Sequence, residues 1–148
     1  MHVSYGKSVH GEAEIAAVVE VLRSSTQMGE KVRAMEARVS ALFAKHHGLM
    51  VNSGSSANYL AIELLGLPVG SEVITPALTF ATTVAPIVRA GLVPVFIDAE
   101  PGTYNIDVAH IEAMISPQTR AMMIPSLIGN LPDWDVLMDI ANRHELML

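Results

Sequence analysis

Apolar strand-like runs alternate with amphipathic helix-like stretches from residue 49 to residue 148. The chain is 51% hydrophobic but only 5% aromatic, so Ala, Val, Ile, Leu and Met must fill its interior. Before residue 49 the pattern is helical throughout. These observations predict an α/β fold: a mainly parallel sheet flanked by helices over residues 49–148, behind an N-terminal helical segment at 1–48. A chain of 148 residues is long enough to bury one hydrophobic core.

Ile15, Val18, Val19 and Leu22 fall on one face of a helix spanning residues 12–23. After a polar break, Val32, Met35, Val39, Leu42 and Phe43 mark a second helix over 30–46, with Gly48 expected as its left-handed cap. Residues 49–52 read as a short strand, 53–56 as a turn and 57–65 as a helix. A Pro/Gly connector at 67–70 leads to a strand at 72–75, a helix at 80–90 and a buried strand at 93–98. A helix at 108–115, a strand at 120–125 and a helix at 134–144 complete the series. Leu146–Leu148 reads as the opening of another buried strand, so a truncation or one piece of a longer protein is expected.

A formal charge of −6 with nine scattered basic residues argues against a nucleic-acid partner. The absence of cysteine excludes disulfides and thiolate metal sites. Residues 1–10 lack the apolar stretch of a signal peptide, and no apolar run approaches the roughly 20 residues of a membrane span. A cytoplasmic protein is expected. The mean hydropathy of +0.39 asks either for unusually complete burial or for a partner chain.

Four segments could carry chemistry. Asn52-Ser53-Gly54-Ser55-Ser56-Ala57-Asn58 joins an apolar run to a helix start. Backbone N–H groups around Gly54, the hydroxyls of Ser55 and Ser56, and the partial positive charge of the helix N-terminus would cradle a phosphate. A simple serine cap fits the same residues. The segment has neither the lysine of a Walker A loop nor the spacing of a dinucleotide fingerprint. Next, Thr75-Pro76-Ala77-Leu78-Thr79-Phe80-Ala81-Thr82-Thr83 sits at a strand end, where α/β sheets bind ligands; Phe80 could stack on a flat heterocycle or fill core. Asp98, ending a strand, could cap a turn or orient a neighbour. Finally, Asn130 follows Gly129 at another strand end and fits either a ligand contact or a turn. The six histidines have no metal-ligand spacing, and the methionines fall at core-facing positions. Lys7, Lys31 and Lys45 lack surroundings that would lower their pKa for Schiff-base chemistry.

Taken in order, the motifs at 52–58, 70–76, 79–83, 91–98 and 103–107 resemble the DegT/DnrJ/EryC1/StrS sugar aminotransferase family, of pyridoxal-phosphate (PLP) fold type I. The resemblance covers nearly the whole chain as the N-terminal part of that fold's large domain, with the C-terminal small domain absent. It implies pyridoxal 5'-phosphate as cofactor, held by Gly54, Ser55 and Ser56 at its phosphate, with Phe80 on its pyridine ring and Asn130 nearby. It further implies a homodimer that transfers an amine from an amino acid such as glutamate to a keto nucleotide-sugar, in cell-envelope or secondary-metabolite sugar biosynthesis. The acid that pairs with the pyridine nitrogen and the Schiff-base lysine are expected beyond residue 148, which would leave this chain inactive alone. A dehydratase branch of the family removes a sugar 3-hydroxyl and uses histidine in place of that lysine. Tyr5-Gly6-Lys7, Thr82-Thr83-Val84 with Pro86, and Ile128-Gly129-Asn130 resemble that branch. A third possibility is a non-catalytic truncated or split subunit that binds only a phosphate ligand or a partner chain.

Overall fold

The computed structural model describes residues 6–24, 26–27 and 29–148. The chain divides into two units, Met1–Met50 and Val51–Leu148.

The first unit contains α1 (Glu12–Ser24) and α2 (Glu30–Leu42). α2 ends four residues before the expected boundary, and Gly48 is not its cap. Ala44 takes the left-handed conformation instead, at φ 51°. Its N–H donates to Ala41 O at 3.0 Å, and the Lys45 N–H donates to Ser40 O at 2.8 Å. These two bonds satisfy the last helical carbonyls in a Schellman arrangement built on alanine. Gly48 serves close approach: a Cβ there would lie 2.8 Å from Glu36 O. The Met50 N–H donates to Glu36 Oε1 at 2.8 Å, pinning the same stretch to α2.

The second unit is α/β. Its elements are α3 (Gly54–Leu64), β1 (Glu72–Pro76), α4 (Ala81–Arg89), β2 (Val93–Ile97), β3 (Thr119–Met122) and α5 (Trp134–Arg143). The strands form one parallel sheet in the order β2-β1-β3. β1 is central and buried along nearly its whole length. Successive side chains of a strand point to opposite faces, and Val73 and Ile74 accordingly serve two cores. Val73 packs with Ile62, Ile87, Leu92 and Ala121 beneath α3 and α4. Ile74 packs with Ile97, Ile106, Ile111, Met122, Leu137 and Ile140 beneath α5.

Three expected elements differ in kind or in placement. Residues 49–52 form no strand, because no neighbouring strand pairs with them among the described residues. β2 lies at a sheet edge rather than in the interior, so Val93 and Phe96 remain 46% and 48% exposed. The segment at 108–115 forms two single 3-10 turns, Val108–His110 and Glu112–Met114, instead of one α-helix. Asp107 caps the first turn by accepting from the Ala109 N–H at 3.1 Å. Glu112 then reaches α5, where hydrogen bonds from Arg143 and then His144 hold its carboxyl below the usual glutamate range. Near residue 148 the chain starts to extend the sheet: Met147 pairs in parallel with Ala121, and the Met122 N–H donates to Met147 O at 2.7 Å.

Candidate functional site

The carboxyl ends of the three parallel strands lie on one edge of the sheet, the edge where open α/β sheets hold ligands. α3 begins at residue 54 and not at 57, so the serine segment is itself the first helical turn. Ser53 is the N-cap, with extended backbone at φ −161° and ψ 158°. Its Oγ accepts from the Ser56 N–H at 3.2 Å, and its hydroxyl donates to Ser56 Oγ at 3.1 Å. The Ser56 hydroxyl donates in turn to Asn52 Oδ1 at 2.7 Å.

This network makes the cap and the anion cradle compatible. The cap consumes the donors of Ser56 and leaves the N–H groups of Gly54 and Ser55 without a partner among the described residues. Those two groups, the half-buried Ser55 side chain and the helix dipole can all act on one anion. Nothing lies within 4 Å of a Cβ placed on Gly54, so the space beside that residue is open. The arrangement fits a phosphate monoester. Ser56 shapes the turn, whereas Ser55 is the free hydroxyl.

Phe80 is the N-cap residue of α4 and is 70% exposed, so it is not core in the α/β unit. Behind it Thr79 Oγ1 donates to Thr83 Oγ1 at 2.9 Å, and Thr83 is buried. The start of α4 is tied to α3 by Asn58, whose Nδ2 donates to Thr82 O at 3.1 Å. Thr75, fully buried on β1, donates its hydroxyl to Met123 O at 2.9 Å and fixes the chain as it leaves β3. Motif reading gives neither Asn58 nor Thr75 a role. The available signal is that asparagine is a poor residue for a helix interior, so a half-buried one there points to a specific bond.

Among the described residues no hydrogen bond joins Asn130 to the serine turn or to Phe80. Its Nδ2 donates to Thr103 O at 2.8 Å, while Asn105 Nδ2 donates to Leu131 O at 3.0 Å. The two asparagines thus join the loops that follow β2 and β3. Tyr104 and Ile128 adopt φ of 61° and 50° in those loops, a backbone region costly for such side chains. Asn105 Oδ1 is buried with no partner among the described residues. Asp98 is exposed and accepts from the Ala99 N–H at 2.8 Å, as a turn-capping residue does. Of the dehydratase-like stretches, Tyr5 lies outside the described residues. Thr82–Val84 and Pro86 belong to α4, and Ile128–Asn130 to the loop after β3. Among the described residues no group of three or more His, Asp or Glu could hold a metal ion, and no helix is long and apolar enough to cross a membrane.

A model of the DegT/DnrJ/EryC1/StrS aminotransferase family matches residues 9–148. The dTDP-4-dehydro-2,6-dideoxy-D-glucose 3-dehydratase of Saccharopolyspora spinosa is 38% identical over 97% of this chain and 33% of its own length. The GDP-4-keto-6-deoxy-D-mannose-3-dehydratase of E. coli, solved with bound hydrated PLP, superposes with a TM-score of 0.88 at 31% identity, over 95% of this chain and 38% of that one. An aminotransferase from Psychrobacter cryohalolentis superposes with a TM-score of 0.86 at 28% identity, covering 93% of this chain and 36% of its own. The chain therefore spans about a third of the length of the curated relative, and its α/β unit has the PLP fold type I architecture.

Proposed function

The chain belongs to the DegT/DnrJ/EryC1/StrS aminotransferase family, and on that premise we propose that it binds pyridoxal 5'-phosphate for amine transfer to a keto nucleotide-sugar. One observation carries the reading: the first turn of α3 is capped by its own serine, yet keeps two N–H donors and one hydroxyl without a partner among the described residues. Gly54 and Ser55 bind the phosphate through those groups. Ser56 keeps the turn in shape. Phe80, exposed at the start of α4, covers one face of the pyridine ring and excludes water from it. Asn130 closes the far side, held by the loop it is bonded to. The cofactor, when bound, supplies an electron sink for carbanion chemistry at the sugar or amino-acid carbon. A nucleotide-sugar substrate, glutamate or a similar amino acid as donor, a homodimer and a cytoplasmic setting belong to the same proposal.

The identity to the Saccharopolyspora 3-dehydratase favours a second reading, loss of the sugar 3-hydroxyl. Product mass separates the two in any holoenzyme that includes these residues. Amine transfer gives an amino sugar, whereas loss of the 3-hydroxyl gives a 3-deoxy keto sugar, with glutamate as the two-electron donor leaving as 2-oxoglutarate and ammonia.

All three lysines, Lys7, Lys31 and Lys45, precede the α/β unit, which offers no amine to hold the cofactor covalently. In that unit His110 and His144 are paired with Asp107 and Glu112. The 148-residue chain supplied with PLP, glutamate and a keto nucleotide-sugar should therefore form neither product, and either product in a mass-spectrometric assay would overturn this.

Cofactor binding is best read with pyridoxine 5'-phosphate, whose alcohol forms no imine with stray lysines. Phosphate-free pyridoxine should bind at least about tenfold more weakly, since charge-assisted bonds to phosphate are worth about 1.5–3 kcal/mol. Phe80→Leu keeps most of the side-chain volume and removes the π face, and should weaken pyridoxine 5'-phosphate by roughly two- to tenfold. Phe80→Ala should change unfolding stability by no more than about 0.5 kcal/mol, as for an exposed residue. Unaltered affinity in Phe80→Leu, or an unfolded Phe80→Ala protein, would return the residue to packing.

A further inference from the structure

α4 carries a proline in its interior, Pro86. Proline has no N–H, so the carbonyl four residues earlier, that of Thr82, loses the donor that a helix would give it. The replacement comes from another helix: Asn58 Nδ2 donates to Thr82 O at 3.1 Å. Asn58 sits in the second turn of α3, four residues past Gly54, and Thr82 sits two residues past Phe80. The bond therefore ties together the starts of the two helices that face the strand ends. In the helix interior asparagine lowers stability relative to most residues, so its place in α3 requires a gain outside that helix.

We infer that Asn58 is a positioning residue, setting the phosphate-binding turn of α3 at a fixed distance from Phe80 through a carbonyl that Pro86 leaves open. The inference rests on the reading that a phosphate and its ring occupy those two helix starts. A ligand with two rigidly linked parts gains from both only when the protein holds their sites at the matching separation. Loss of Asn58 should then weaken the linked ligand while leaving each part's own binding unchanged.

Three probes on the 148-residue chain test this by calorimetry: pyridoxine 5'-phosphate, pyridoxine and inorganic phosphate. In Asn58→Ala the affinity for pyridoxine 5'-phosphate should fall at least roughly fivefold. Pyridoxine and inorganic phosphate should each change by less than about twofold. Asn58→Ala also strips Thr82 O of its donor and should lower resistance to urea. Adding Pro86→Ala restores a helical N–H to that carbonyl, so the double variant should regain stability without regaining affinity. Hydrogen exchange in both variants should quicken over residues 54–58 and 80–84 and stay unchanged in β1.

Affinity regained with stability in the double variant would reduce Asn58 to a structural role and overturn the inference. So would equal losses for all three probes, or no loss in Asn58→Ala. If the wild-type chain fails to bind pyridoxine 5'-phosphate, the cofactor reading fails by itself. The exchange measurement then decides the tie, and unchanged exchange at both helix starts would end it.

Discussion

Replacing Ile74 by alanine should cost the α/β unit about 2–5 kcal/mol, the range for emptying a fully packed aliphatic site. Ile74 is fully buried on the central strand, where it meets Ile97 of β2, Met122 of β3, the 106–111 segment and α5. No adjoining element can close the gap alone, because each is held by a different partner. Ala121 and Val73 continue the sheet on the other face, and Arg143 pins α5 to Glu112. A domain of this size has a total stability of about 5–15 kcal/mol, so the loss is a large share of it. Urea unfolding followed by Trp134 fluorescence measures the change. A shift below about 1 kcal/mol would mean that this face is not tightly packed.

Where apolar periodicity and local sequence decide the outcome, the fold was legible. α1, β1 and α5 lie within a residue or two of expectation, since each is marked by the apolar spacing of its own sequence. The pairing of Met147 with Ala121 matches the strand-like end read from Leu146–Leu148. The failures occur where a partner decides. Residues 49–52 are apolar enough for a strand, but a strand exists only beside another one. β2 is apolar along its length yet lies at an edge, and periodicity alone does not separate an edge strand from a buried one. Residues 108–115 have helical spacing, but their backbone N–H groups reach back three residues and not four, from His110 to Asp107 and from Met114 to Ile111.

The site was legible as composition and hidden as geometry. Serines beside a glycine at a helix start announce a cap or a cradle, and only the hydrogen bonds divide the labour: Ser53 caps, Ser56 braces and Ser55 stays free. Phe80 could be read as core or as a ligand surface until its exposure decided against core. The bond from Asn58 to Thr82 spans 24 residues and depends on a proline four places further along. No local pattern announces such a combination, because its cause is the packing of α3 against α4.

That division of labour sets the largest effect expected at the site. Ser55→Ala removes the only serine hydroxyl in the turn that has no partner within it, while preserving both free N–H groups. A charge-assisted bond to a phosphate oxygen is worth about 1.5–3 kcal/mol, so affinity for pyridoxine 5'-phosphate should fall at least about tenfold. Ser56→Ala deletes the bond to Asn52 and the one accepted from Ser53, but the backbone N–H still reaches Ser53 Oγ. Its effect should fall on stability, about 0.5–1.5 kcal/mol, with affinity changed by less than about threefold. Combining the two should weaken binding by no less than Ser55→Ala alone. Affinity for phosphate-free pyridoxine should not respond to Ser55→Ala, because the hydroxyl has nothing to hold there. Calorimetric titration with both ligands, alongside urea unfolding of each variant, gives all of these quantities. If Ser55→Ala and Ser56→Ala lose equal stability and neither loses affinity for the phosphate, the turn is a helix cap and the cofactor is held elsewhere.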